Sequence, residues 1–201
     1  MDYWYPLLFG RGPQAHGKRA EIKVRNILRH EGLCLQRQTG GSTRRHDLVL
    51  LHEGSEIGIE VKSEKASEGG QKKFQYVDGR LIMTDPFFSS LLGSHVPFNG
   101  DVPSFVRGDT SFETWLGEKK RFKDEYIDVP DDAVARYYAQ KGSTYIYIEN
   151  KGMFRTGEDV CHMNVPLFRA RTRLRIRCKQ HGRTSMPGTV MACLVFRMPK
   201  A

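Results

Sequence analysis

The sequence predicts a mixed α/β fold: a mixed β-sheet flanked by helices, with a β-rich C-terminal elaboration. Three observations predict it. The apolar residues Ala20, Val24, Ile27 and Leu28 recur at helical spacing between His16 and Glu31. Short β-branched and aromatic runs separated by Gly, Asn and Asp turns come both before and after the helical segments. With 39% hydrophobic and 10% aromatic residues the chain has enough apolar surface for a packed core.

Taken in order, the first dozen residues (Tyr3, Trp4, Tyr5, Leu7, Leu8 and Phe9 before Gly10 and Gly12) read as an apolar arm. The helix from His16 stops at Gly32, and Leu33 to Arg37 reads as a short strand. After the turn Gly40-Gly41-Ser42, strands are expected from His46 to Leu51 and from Glu56 to Ser63, around a turn at Glu53, Gly54 and Ser55. Gly69 and Gly70 precede Gln71 to Tyr76, which reads as the start of a helix, and Asp85 to Asp109, rich in Pro and Gly, reads as a long irregular excursion. A charged helical segment is expected from Glu113 to Tyr126, and Pro130, Asp131 and Asp132 cap a short helix through Tyr138. Ser143 to Glu149 and Met153 to Thr156 flank Asn150, Lys151 and Gly152 as a hairpin. Strands near Leu167 to Cys178 and Thr189 to Phe196 complete the chain. The organisation expected is a core over residues 1–80, an irregular and helical insertion over 81–142, and a basic β-rich extension over 143–201 that completes the same domain.

The 201 residues carry 32 Lys+Arg and 23 Asp+Glu, a formal charge of +9. The position of that excess is informative. From residue 160 onward there are Arg169, Arg171, Arg173, Arg175, Arg177, Lys179, Arg183, Arg197 and Lys200 and no acid, so the rest of the chain is balanced. A concentrated positive stretch favours a polyanionic partner. No apolar run approaches the roughly 20 residues needed to cross a bilayer, the N-terminus lacks a signal-peptide pattern, and no basic amphipathic helix suggests a membrane surface. A soluble protein with no membrane partner is the expectation, and four scattered Cys make no disulfide scaffold.

Chemistry concentrates in Asp47 and in Glu60-Val61-Lys62. Alternation along the second strand puts Ile57, Ile59 and Val61 on one face and Gly58, Glu60 and Lys62 on the other. A hairpin between residues 47 and 60 brings Asp47 beside Glu60. Two such carboxylates repel unless a divalent cation lies between them, and oxygen ligands suit Mg²⁺, with Mn²⁺ as a substitute. A lysine beside the metal positions an attacking water and offsets charge at a scissile phosphate. Glu21, at the edge of the apolar stripe of the first helix, adds a third carboxylate.

Asp47 followed by Glu60-Val61-Lys62 on a hydrophobic strand, behind a helix bearing Glu21, resembles the PD-(D/E)XK nuclease superfamily, which has the restriction-endonuclease-like fold. Over residues 16–76 the likeness is to archaeal-type Holliday junction resolvases: their Gly-Lys-x-x-x-Glu helix is approximated by Gly17-Lys18-Arg19-Ala20-Glu21, their basic strand residue by Arg37, and their Gly-x-Ser loop by Gly40-Gly41-Ser42. His46 stands where the name motif has proline. The resemblance implies a Mg²⁺-dependent endodeoxyribonuclease with Asp47, Glu60 and Glu21 at the metal and Lys62 assisting the water. It also implies nucleic-acid contacts from Arg37, Ser42, Arg44 and Arg45, and Gln71 as a supporting glutamine on the following helix. Structure-selective cleavage of junctions and sequence-selective cleavage by a restriction or homing enzyme are both open. Either is expected of a homodimer, since cutting both strands needs two sites, in the cytoplasm or on the nucleoid. The rival from another class is a non-catalytic nucleic-acid-binding module in which Asp47, Glu60 and Lys62 form a surface salt-bridge cluster.

Beyond the motif, Arg169 to Arg177 alternate with Ala170, Thr172, Leu174, Ile176 and Cys178. As a strand this sets five guanidinium groups on one face at roughly 6.7 Å intervals, inside the Debye length of about 8 Å. Arg171, Arg173, Arg175 and Arg177 are therefore expected to contact phosphates, against the alternative of a solvated or charge-protected strand face. Cys161-His162, Cys178-x-x-His181 and Cys193 could be assembled into a zinc site, but paired CxxC knuckles are missing; Cys34, Cys178 and Cys193 read better as small buried hydrophobes. His16 and His46 flank the motif as local hydrogen-bonding residues. Phe87, Phe88, Phe98, Phe105 and Phe112 read mostly as satellite core, with base stacking as the alternative.

Overall fold

The structure, a computed structural model, describes residues 13–30, 34–38, 46–107, 112–118, 120–179 and 189–198. The expected N-terminal arm, the loop with Ser42, Arg44 and Arg45, and His181 lie outside them. The chain forms two compact units, the first comprising residues 1–66 and 135–169, the second residues 67–134 and 170–201.

In the first unit, helix α1 (Pro13–His30) is followed by strands β1 (Cys34–Gln38), β2 (Leu48–His52) and β3 (Ser55–Lys62). The chain returns to this unit through most of the helix Ala133–Gln140, then a hairpin of Ser143–Ile148 and Gly152–Arg155. Counting all strands in chain order, these last two are β8 and β9, and the helix is α4. The sheet order is β1-β2-β3-β8-β9, antiparallel throughout except for the parallel pair β3/β8. It is thus a mixed sheet in a mixed α/β fold, as the periodicities predicted. The core packs Ala20, Val24 and Leu28 of α1 against Leu48, Leu50, Ile57, Ile59 and Val61, with Tyr145 and Tyr147 of β8. Ile27, counted in the same apolar stripe from the sequence, is 42% exposed and lies outside that contact.

The loop after β9 is fastened to this sheet by Asp159. Its carboxylate accepts the Tyr145 hydroxyl at 2.6 Å and the N–H groups of Met163 and Val165, and the Tyr145 oxygen in turn accepts the Cys161 N–H at 2.9 Å. The Asp159 carboxyl is held below its ordinary value, first by the Tyr145 hydroxyl.

The second unit holds an antiparallel sheet of order β4-β11-β10-β7, made of β4 (Glu68–Lys73), β7 (Glu125–Val129), β10 (Arg171–Lys179) and β11 (Thr189–Arg197). A small hairpin of β5 (Gln75–Val77) and β6 (Arg80–Ile82) follows β4. Gln71 to Tyr76, expected to begin a helix, is therefore strand: Gly69 and Gly70 lie inside β4, where Gly70 pairs with Leu194. A Cβ on Gly69 would meet Val134 at 2.9 Å, so the glycine is there for close packing and does not start a helix.

The Asp85 to Asp109 excursion is more ordered than its Pro and Gly content suggests. It contains α2 (Pro86–Leu92) and two short 3-10 turns, Pro97–Gly100 and Ser104–Arg107. Asp85 caps α2 by accepting the Phe88 N–H at 3.1 Å and is paired with Lys72 at 2.8 Å. Glu125 accepts the Phe98 N–H and bonds His95 at 3.0 Å, holding the turn in which Phe98 and Asn99 take left-handed conformations. The helix expected over Glu113 to Tyr126 stops early: α3 spans Phe112–Glu118 and the segment then becomes β7. Phe98, Phe105, Trp115 and Phe122 are buried in a chain of edge-to-face and tilted ring contacts, the satellite core expected of the aromatics. Among the described residues no helix is long and apolar enough to cross a membrane.

Candidate active site

Asp47 and Glu60 meet because β2 and β3 are in antiparallel register. Leu48 pairs with Ile59, so the next step of the ladder sets Asp47 against Glu60. The Asp47 N–H donates to the Ile59 carbonyl at 3.2 Å, and its own Oδ2 accepts the Val61 N–H at 2.8 Å. The side chain thus takes over from the backbone where β2 begins and holds the carboxylate at the strand end.

Both faces of β3 are covered. Ile57, Ile59 and Val61 face the α1 core, as alternation predicted, and the opposite row is closed over as well. Glu60 is only 7% exposed although it is an acid. Lys62 answers its charge, with Nζ 2.8 Å from Glu60 Oε1. One lysine does not offset the whole effect at Asp47, whose carboxyl is pushed from its ordinary 3.8 up to about 6, first by burial and next by the Glu60 charge. The Val61 hydrogen bond and Lys62 oppose that rise, and Glu21, half-buried on α1, adds the smallest contribution to it.

The sequence pattern did not point to Tyr138, on α4. It is 2% exposed, and its hydroxyl is held well above the ordinary tyrosine range, first by burial and next by the Glu60 carboxylate, which also accepts a hydrogen bond from it. Lys62 Nζ lies 5.3 Å from the centroid of its ring, and Lys141 Nζ lies at the same distance. Tyr138 is therefore a neutral donor beside Glu60 flanked by two ammonium groups. Its only sequence signal was a tyrosine pair on a short capped helix. The β3/β8 pairing that brings this segment to Glu60 joins residues more than eighty positions apart.

His46, at the motif position expected to hold proline, has a structural role. Its Nδ1 lies 3.0 Å from Ser143 Oγ, and its ring covers Gly58 so closely that a Cβ there would meet ring atoms at 2.5–2.7 Å. Gly58 is what allows the imidazole of His46, the residue before Asp47, to lie against β3.

Arg37 sits on β1 opposite Val49. Gln71 lies on β4 of the second unit, opposite Cys193, whose Sγ is 4.0 Å from its Oε1. Among the described residues no group of three or more His, Cys, Asp or Glu side chains is arranged to hold a metal ion. Cys193 is fully buried, in keeping with its reading as a small buried hydrophobe; Cys178 is only half-buried, though burial pushes its thiol up to about 12.

The arginine row of the second unit differs from the expected uniform ladder. Arg169 precedes β10, so four guanidinium groups remain on the strand, alternating with buried Thr172, Leu174 and Ile176. Arg175 bonds Asp124 through Nε at 2.9 Å, and Arg177 pairs with Glu68 at 3.2 Å. The C-terminal fifth has no acid of its own, but β4 and the residue before β7 supply two. Arg173 lies over Tyr126, 4.5 Å from its ring centroid.

No family model matches the chain, and no curated protein matches it. Among solved structures, HhaI endonuclease in complex with DNA is similar at 10% sequence identity and a TM-score of 0.48, over 92% of each chain. At that level the likeness carries no argument about this chain, and the chemistry rests on the residues themselves.

Proposed function

We propose that the first unit is a metal-dependent nuclease that hydrolyses DNA phosphodiester bonds. The observation that carries the reading is the cluster of buried Glu60 with half-buried Asp47 and Lys62 at the ends of two paired strands. Two neighbouring carboxylates, one with its pKa pushed up to about 6, form a donor set that a divalent cation would relieve. Mg²⁺ is commonly held by one or two carboxylates and completed by water and phosphate, so Asp47 and Glu60 suffice as protein ligands, with Glu21 as a flanking charge. When bound, the ion would neutralise phosphate charge and lower the pKa of a coordinated water.

The chain's own residues have distinct tasks. Val61 anchors Asp47 through its N–H, and Tyr138 and Lys62 fix the orientation of Glu60. The Lys62 ammonium orients the attacking water and donates to a non-bridging phosphate oxygen as charge builds during in-line attack. Cleavage of this kind leaves a 5′-phosphate and a 3′-hydroxyl. The resolvase-like segment around Glu21 and Arg37 favours structure-selective cutting of junctions, the large C-terminal part favours a sequence-selective enzyme, and cutting both strands of a duplex would call for a homodimer.

Supercoiled plasmid and a four-way junction, each incubated with Mg²⁺ or with EDTA, test the reading. Wild type should nick at least one substrate only with metal. Lys62→Ala should bind as wild type does and cleave about 10²–10⁴-fold more slowly. Binding by both proteins with no cleavage in Mg²⁺ or Mn²⁺ would overturn the reading in favour of a binding module.

A further inference from the structure

The second unit has an open, basic cavity at one end of its arginine strand. The β10/β11 register sets Arg171 directly opposite Arg197, and Arg173 opposite Val195. Residues paired across an antiparallel ladder leave the sheet on the same side, so Arg171, Arg173 and Arg197 share a face; like charges directly opposite destabilise a sheet. On β7, Tyr126 and Asp128 stand opposite Arg175 and Arg173 on that face. An open cavity of about 360 Å³ lies over it, lined by Arg171, Arg173, Arg175, Arg197, Tyr126 and Ser67.

The row is graded from one end to the other. Arg175 and Arg177 are held by Asp124 and Glu68. Arg171, Arg173 and Arg197 have no carboxylate within ion-pair distance among the described residues, and Asp128 makes no ion pair with Arg173 although it faces it in register. The Arg173 guanidinium instead stacks on Tyr126, which it fixes in place while the residue stays 47% exposed. The cavity therefore combines uncompensated cations with an oriented aromatic ring.

We propose that this cavity binds an unpaired nucleotide of a single-stranded nucleic acid, its phosphate between Arg171 and Arg197 and its base against Tyr126. An anion relieves the cross-strand repulsion of the two arginines, and free phosphate alone would leave the exposed ring without a role. A base in duplex is already stacked on its neighbours, whereas an unpaired base offers its face to an aromatic side chain. The site lies in the second unit and needs no metal, so its test is separate from that of hydrolysis.

The test uses the full chain in EDTA and fluorescence anisotropy with labelled oligo-dT, oligo-rU and a blunt DNA hairpin over a KCl series, with dTMP and inorganic phosphate as competitors. Wild type should bind a single strand more tightly than the hairpin, and dTMP should compete better than phosphate; the dT and rU arms tell which strand is preferred. The double variant Arg171→Ser/Arg197→Ser should bind oligo-dT at least about tenfold more weakly, with a log–log salt slope shallower by about 1 to 1.5. Tyr126→Leu should weaken single-strand binding by about 5- to 100-fold at an unchanged slope and leave hairpin binding within about twofold. Arg197→Ser alone, with its melting curve, keeps the slope readout if the double variant melts early. An unchanged slope in the arginine variants, equal losses on hairpin and single strand in Tyr126→Leu, or no binding of either oligonucleotide at low salt would each overturn the proposal. Failure to cleave DNA would leave it standing.

Discussion

The carboxylate of Asp47 accepts the backbone N–H of Val61 at 2.8 Å, where a strand carbonyl would otherwise stand. One oxygen of the acid is thereby given to the ladder, and the group is fixed beside Glu60 in a place that disfavours its charge. Structure and proposed chemistry meet in that one side chain.

The consequence is a stability that depends on pH. The folded Asp47 carboxyl, at about 6, lies above its ordinary 3.8, so between these values the folded state holds the proton more than the unfolded state does. Stability of the metal-free protein should therefore fall as pH rises from about 4 to 6, by about 3 kcal/mol from this group alone. Asp47→Asn keeps an acceptor for Val61, removes that slope and should melt above wild type at pH 7.5. Addition of Mg²⁺ should raise the wild-type melting temperature at that pH and leave the variant unmoved. Melting curves at several pH values, with Mg²⁺ and with EDTA, measure all three effects.

Tyr138→Phe removes the hydroxyl that donates to Glu60 and keeps the ring between Lys62 and Lys141. A loss of about 1 kcal/mol in urea unfolding is expected. Cleavage should slow roughly tenfold with little change in DNA binding, since the hydroxyl acts by holding Glu60 in place; an effect of that order is typical of one lost orienting hydrogen bond. Equal rates in the two proteins would remove Tyr138 from the site.

His46 and Gly58 should behave as a coupled pair. Gly58→Ala drives a methyl group into the imidazole and should cost about 1–3 kcal/mol. In His46→Ala the obstacle is gone, so adding Gly58→Ala to it should cost much less. A double-mutant cycle by chemical denaturation should give an interaction energy above about 1 kcal/mol. Simple additivity would mean that the ring does not lie on β3.

The Asp159 clamp makes an acid-side prediction of opposite sign. Its carboxyl is held below the ordinary 3.8, so its contribution is present above about pH 4 and lost as pH falls through the depressed folded value. Asp159→Asn should lower the melting temperature by about 2–5 °C at pH 7, a difference that closes as pH falls through that depressed value. The same variant should increase amide exchange at Cys161, Met163 and Val165, whose N–H groups are held by this acid or by the Tyr145 oxygen beside it.

The local signals were reliable where one periodicity governed. Ala20, Val24 and Leu28 marked the buried side of α1, alternation through Ile57, Ile59 and Val61 marked the core face of β3, and the turn at Asn150 marked the β8/β9 hairpin. Glycines misled: Gly69 and Gly70 looked like a helix boundary, yet they lie within a strand because Val134 leaves no room for a side chain at Gly69. The early end of α3 is a case of tertiary override, since Tyr126 and its neighbours found pairing partners on β10.

The sequence by itself determined that Asp47, Glu60 and Lys62, the ingredients of the proposed site, come together, because residues on one hairpin are fixed relative to each other by strand period and register. It also determined the alternation of β10, which follows from composition alone. Only the tertiary structure decided that Tyr138 completes the Glu60 environment, and that Asp124 and Glu68 neutralise one end of the arginine row while Arg197 adds to the other. These relationships join residues 26 to 109 positions apart in the chain. Nothing in local propensity encodes such distances; they arise when buried charges and polar groups must find partners as strands pair.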